Sequence, residues 1–255
     1  MRKVKIAISM DKALLDSIDA RVDGSIIRSR SQAIEYFLQK GFQSQVPDTA
    51  VLLIKGAHQE FSLSKIKGIS LIKKQIDFFY INGIKNLFII TQHTKNMNLL
   101  LNEISSAPIS VKIFERNVNG NADALKSLSE NLKQSSFVVM SGDIFNDFDL
   151  RSMIKNHAEN NLLATIGLMS REKVDKYGTA VMDGDLVVDF EEKPSEARSH
   201  VVNAGIYVFK PQIFNLFDNS TSSIEKNIIP KLAKMKQLLG YFTNGEYIHL
   251  EDGEE

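Results

Sequence analysis

The chain has no cysteine among its 255 residues. Disulfide bridges, thiolate nucleophiles and cysteine-based zinc sites are therefore excluded, which fits a reducing compartment. It also lacks any apolar run approaching the length of a membrane helix, so no membrane partner is expected. Lys3 and Lys5 interrupt the only apolar pattern at the N-terminus, no signal peptide is expected, and the sequence reads as cytoplasmic. Internal repeats and low-complexity tracts are missing too. Net charge is zero, with 31 basic side chains against 31 acidic. The balance hides an asymmetry: residues 1–45 carry eight Lys/Arg and five Asp/Glu, leaving 23 and 26 for the remainder. What is present, 43% hydrophobic and 24% charged residues, is enough for a large core and one large domain or two unequal ones.

The basic end has its own pattern. In KVKIAISM, Val4, Ile6 and Ile8 fall on one face of a strand, with Lys3, Lys5 and Ala7 on the other. Asp11 is placed to cap a first helix with Leu14, Leu15, Ile18 and Val22 inward, ending at Gly24. Ser29 and Gln32 have capping-box spacing for a second helix carrying Ala33, Ile34, Phe37 and Leu38, ending at Gly41. Some forty residues so arranged bury too little apolar surface alone, so a second copy would have to pair with the strand. Strand, capped helix, Gly-Ser loop and S-R-S-capped helix resemble the ribbon-helix-helix repressors. The resemblance implies a homodimer or dimer of dimers on double-stranded DNA. Lys3, Lys5 and Ala7 would then face the major groove, and Ser29, Arg30 and Ser31 the phosphates. The alternative is a dimerisation strand with ordinary solvated lysines.

After a polar linker (46–50), strand and helix signals alternate: strand 51–54, helix 69–84, strand 86–91, helix 96–104, strand 111–114, helix 122–132 and strand 137–143. That alternation predicts βαβ units, with ligands at the carboxyl ends of the strands near Gly142-Asp143. A hairpin across Asp183-Gly184, a strand over 201–209 and helix signals from Ile213 and Ser223 follow.

Four fragments in order, F-V-V-M-S-G-D, Y-G-T-A-V, F-E-E-K-P and V-N-A-G-I-Y-V-F, resemble the sugar-1-phosphate nucleotidylyltransferases over roughly residues 50–250. The resemblance implies Mg²⁺ at Asp143. It also implies a sugar phosphate or nucleotide sugar held by Gly178, Glu192, Lys193, Asn203 and Gly205. The expected architecture is α/β: a ribbon-helix-helix unit (β-α-α) over 1–45, then a Rossmann-like nucleotidyltransferase domain with a mainly parallel sheet over 51–255.

The nucleotide side departs from the family pattern. IKGAHQEFSLSKIKGISLI lacks the G-G-x-G-T-R-L loop and P-K-P that hold the triphosphate, although Lys65 and Lys67 supply point charges. Asp123 stands where the family keeps a glycine beside the base, and His249 where it keeps a second metal carboxylate. Alternatives stay open at single residues: Asp143 as a cap, His58 and His249 as surface or structural histidines, Glu192-Lys193 as an ion pair. From these departures a regulator is expected, with no catalytic residues and no cofactor, whose large domain serves as ligand sensor or scaffold. The alternative is an active sugar-1-phosphate nucleotidylyltransferase using Mg²⁺, with an added dimerisation module.

Overall fold

The structure, a computed structural model, describes residues 6–24, 27–45, 47–218, 220–242 and 244–249, with all their side chains but those of 39, 40 and 42–45. It divides into two compact units, Met1–Gln45 and Val46–Glu255.

The first unit holds helices α1 (Lys12–Asp19) and α2 (Arg30–Gln45). Asp11 caps α1 as its position predicts, its Oδ1 accepting from Ala13 N–H at 2.9 Å and Leu14 N–H at 3.3 Å. Ser29 Oγ accepts from Gln32 N–H at 3.3 Å, while Gln32 Oε1 reaches back to Arg28 N–H at 2.9 Å, one residue earlier than a capping box requires. Ile18 and Ala33 are buried, but Leu14 and Leu38 are more than half exposed. Of the predicted strand, only the part from Ile6 on falls among the described residues; there residues 6–10 are assigned no strand, and Ile6 is 77% exposed. A lone strand has no ladder to join within its own chain, which accounts for the difference. Lys3 and Lys5 lie outside the described residues.

The second unit begins with β1 (Thr49–Leu53), followed by a short 3₁₀ turn (Gly56–His58) and α3 (Gln59–Leu63). A small hairpin of β2 (Lys65–Ile66) and β3 (Ile69–Ser70) leads into α4 (Leu71–Ile81) and β4 (Asn86–Thr91). Next come α5 (Met97–Ile104), β5 (Ser110–Glu115), α6 (Asn121–Lys126), β6 (Phe137–Ser141) and β7 (Ile144–Asn146). The second half holds α7 (Leu150–Asn160), β8 (Ala164–Ser170), β9 (Gly178–Asp183), β10 (Leu186–Glu192) and β11 (Val201–Phe209). The last elements are α8 (Ile229–Lys234), β12 (Leu238–Phe242) and β13 (Tyr247–His249).

Nine strands form one sheet in the order β5-β4-β1-β6-β11-β8-β12-β10-β9. Period-two alternation sorts its side chains onto two faces. Leu52, Val138 and Met140 join Ile72, Ile76, Leu100 and Met153 under α4, α5 and α7. Val51, Phe137 and Val139 join Leu125 and Leu232 under α6 and α8. The sheet is mixed, which corrects the mainly parallel expectation. Only β5-β4-β1-β6 and β12-β8 run parallel; β11 enters antiparallel between β6 and β8, and β9-β10 is a hairpin. The two-residue turn of that hairpin leaves no length for a crossover, so its strands pair antiparallel.

Candidate functional site

From β1 the chain crosses to β4 and β5 on one side, then returns with β6 on the other. The crevice beyond the carboxyl ends of β1 and β6 is thus a topological switch point, where open α/β sheets bind ligands. A cavity of about 400 Å³ opens there. One wall is the parallel half, with Lys55 after β1, Arg116 after β5 and Asp143 after β6; the other is the antiparallel half. Asp143, Gly178, Glu192, Lys193, Asn203 and Gly205, marked separately in the sequence across more than sixty positions, all line this one cavity.

The antiparallel wall is built by local irregularity. Pairing of β11 with β8 slips between Asn203 and Tyr207, a bulge that re-aims the intervening residues. Gly205 sits in it at φ +68°, a backbone conformation that favours glycine, and a Cβ there would also displace the tip of Ile144, 2.7 Å away. Asn203 Oδ1 accepts from Gly205 N–H at 2.9 Å, and its Nδ2 donates to the Tyr207 hydroxyl at 2.7 Å. Tyr207 is buried, and burial is the main cause raising its pKa; it donates in turn to Glu225 Oε1 at 2.9 Å. Glu225 also accepts from Asn121 Nδ2, at 3.1 and 2.8 Å, and from Ser223 Oγ at 3.0 Å. Opposite it, burial first and the Glu225 charge second push the Glu192 carboxyl up to about 7. Gly178 lies beneath that carboxylate, since a Cβ there would come within 2.6 Å of Glu192 Oε2. Lys193 adopts φ +49°, uncommon for a side-chain-bearing residue, with its N–H donating to Tyr177 O at 3.1 Å.

At the switch point, Asp143 is held from behind. Gln75, buried in α4, donates through Nε2 to Ile144 O at 2.6 Å, fixing the turn after β6. His58 Nδ1 lies 3.2 Å from Asp143 Oδ2, and His249 Nε2 lies 3.9 Å from the same oxygen. Burial raises the Asp143 pKa, but the His58 hydrogen bond and the charge of His249 outweigh it, and on balance it is lowered. Asp143 therefore belongs to a carboxylate–imidazole cluster at the cavity, not to a helix cap. Gln75 and Glu225 carry no motif signal, and the contacts that bring His58 and His249 to Asp143 join distant segments. Asp123 is absent from the cavity lining, its Oδ2 accepting from Asn119 N–H at 3.4 Å.

A family model described as Nucleotidyl transferase matches residues 55–247, three quarters of the chain. The chain belongs to the nucleotidyl transferase family. A mannose-1-phosphate guanyltransferase of Candida albicans is 32% identical over 134 residues, 51% of this chain and 37% of the relative. The mannose-1-phosphate guanylyltransferase catalytic subunit beta of Drosophila pseudoobscura pseudoobscura is 30% identical over 115 residues, 45% of this chain and 31% of the relative. The chain thus spans less than half the length of the curated relatives it matches. HddC from Yersinia pseudotuberculosis superposes with a TM-score of 0.67 at 17% identity, over 79% of this chain and 93% of that one, a likeness of fold.

These matches correct the expectation of a DNA-binding regulator with an inactive large domain. The relatives are named as mannose-1-phosphate guanyltransferases, and nothing among the matches points to a ribbon-helix-helix domain, dimerisation or DNA. Of the residues assigned to DNA, Ala7 lies in a segment with no strand assigned, and Ser29 and Ser31 are exposed at the start of α2. The Arg30 guanidinium is engaged by both Asp19 oxygens, at 2.7 and 2.5 Å, which lowers the Asp19 pKa.

Mg²⁺, which the family implies, prefers oxygen donors in octahedral array. The donors found are one carboxylate and two imidazoles, Asp143 with His58 and His249. Among the described residues no group of three or more His, Asp or Glu is arranged to hold a metal ion. This set does not fit Mg²⁺.

Proposed function

We propose that the protein is a sugar-1-phosphate nucleotidylyltransferase. A phosphate oxygen of the sugar 1-phosphate attacks the α-phosphorus of a nucleoside triphosphate, and the bond to the β-phosphate breaks. Pyrophosphate leaves with the electron pair, and the products are a nucleoside diphosphate sugar and pyrophosphate. The observation that carries the reading is the gathering of Glu192, Lys193 and Asn203 with Asp143 in one switch-point cavity.

Each residue has work that fits its setting. Glu192 and Asn203 accept and donate to sugar hydroxyls, and Glu225, tethered by Tyr207, Asn121 and Ser223, keeps the wall rigid. Gly178 and Gly205 allow the sugar ring and Glu192 to lie close to the backbone. Lys193, its backbone held off the common conformations, lines the cavity and supplies an ammonium to pair with the sugar phosphate. Reaction of this kind depends on positioning and on stabilising charge that spreads over phosphate oxygens.

The names of the relatives make mannose 1-phosphate and GTP the first substrates to try. A coupled pyrophosphate assay over sugar 1-phosphates and nucleoside triphosphates, with Mg²⁺ or Mn²⁺ supplied, tests the reading. Release that requires both substrates supports it; release from no pair refutes it.

A further inference from the structure

The turn after β1 cannot act as an amide cradle for phosphates. Gly56 N–H donates to Gln92 Oε1, and His58 N–H donates to Lys55 O at 2.8 Å. Gln59 pins the turn to the end of β4, donating to Thr91 Oγ1 at 2.9 Å and Gln92 O at 2.7 Å and accepting from Thr94 Oγ1. A phosphate-binding nest needs successive N–H groups free and convergent. Here two of them already have partners within the chain.

On the same wall two basic residues line the cavity. Lys55 follows β1 and Arg116 follows β5; both are exposed, and both line the cavity on the side away from Glu192 and Asn203. Arg116 lies over the Phe114 ring at 5.8 Å and donates one N–H to Glu115 O at 2.9 Å. A guanidinium has five N–H donors, so a fork remains for an anion. Neither residue forms an ion pair among the described residues.

We propose that Lys55 and Arg116 form a side-chain clamp for the triphosphate of the nucleotide substrate, replacing backbone amides as its source of positive charge. The inference rests on the transferase reading and names which groups hold the anion. Arg116 meets two phosphate oxygens through its fork, and Lys55 supplies a mobile point charge from the end of β1, two strands away on the same edge of the sheet. Because both are exposed, the clamp is salt-sensitive where an amide cradle is not.

Calorimetry on the full chain with inorganic tripolyphosphate and with GTP, at low and raised salt, tests it. Lys55→Ala and Arg116→Ala should each weaken both probes about tenfold, and the double variant about a hundredfold, as for hydrogen bonds to charged groups. Mannose 1-phosphate affinity and the melting midpoint should stay unchanged, and Lys55→Arg, which keeps the charge, should keep most of the affinity. A double variant that binds tripolyphosphate like wild type overturns the clamp, as does one that loses mannose 1-phosphate equally. If wild type turns over substrates while the double variant binds normally, the clamp alone is wrong. If wild type binds neither probe and releases no pyrophosphate, the transferase reading falls and takes the clamp with it.

Discussion

Replacing Glu192 by glutamine separates its cost to folding from its use to the ligand. Burial, then the neighbouring Glu225 charge, lifts its pKa from 4.5 to about 7. A folded-state value above the unfolded one means that the fold binds the proton more tightly between the two. Stability linked to this group is therefore full below about pH 4.5 and declines as pH rises through about 7. The whole shift corresponds to about 3 kcal/mol. Glu192 is only partly buried, and screening by solvent brings the expectation to about 1–2 kcal/mol. Urea denaturation followed by circular dichroism should find Glu192→Gln more stable than wild type by that amount near pH 8, with little difference near pH 4.5. The same variant should bind mannose 1-phosphate about tenfold more weakly near pH 8, having lost a charged acceptor for hydroxyls. A variant destabilised equally at both pH values, or one with unchanged affinity, would refute the argument.

Three further substitutions probe other contacts. Burial lowers the His157 pKa to about 4, with Nδ1 2.9 Å from Thr165 Oγ1. The unfolded chain thus takes the proton first, and stability should fall by up to about 3 kcal/mol between about pH 6.5 and 4, a slope that His157→Gln removes in urea titrations. Gly178→Ala places a methyl 2.3 Å from Phe190 Cζ and 2.6 Å from Glu192 Oε2. It should cost about 1–3 kcal/mol by denaturation and displace Glu192, lowering sugar-phosphate affinity in calorimetry. His249→Asp sets a second carboxylate near Asp143, so the variant should be less stable than wild type without Mg²⁺ and regain stability, with a calorimetric binding signal, when Mg²⁺ is added.

Much of the second unit was legible because its signals are local. The strands Asn86–Thr91 and Val201–Phe209 follow the sequence pattern to the residue, and α4 follows its apolar stripe at Leu71, Ile72, Ile76 and Phe79. Asp143, Glu192 and Asn203 carried motif context, and all three line the cavity. What stayed hidden depends on contacts across the chain. The antiparallel entry of β11 beside β6 cannot be read from strand periodicity, which is the same in either direction. Glu225 joins the site through Tyr207 and Asn121, partners 18 and 104 positions away. His58 stands 85 positions from Asp143 and had no motif to announce it. The regulator reading fails for a related reason: the absence of glycines from one loop does not amount to an absence of function, and the matched relatives are named as mannose-1-phosphate guanyltransferases.

Phosphorus NMR of a mixture of GTP, mannose 1-phosphate and the protein tests the transferase reading most directly. The account predicts that the sugar phosphomonoester signal declines while a sugar-linked diphosphate and pyrophosphate grow in equal amounts, and that Glu192→Gln slows all three changes together. Conversion of the triphosphate to inorganic phosphate with the sugar 1-phosphate untouched, or spectra that do not change across a panel of sugar 1-phosphates and nucleotides, would contradict it.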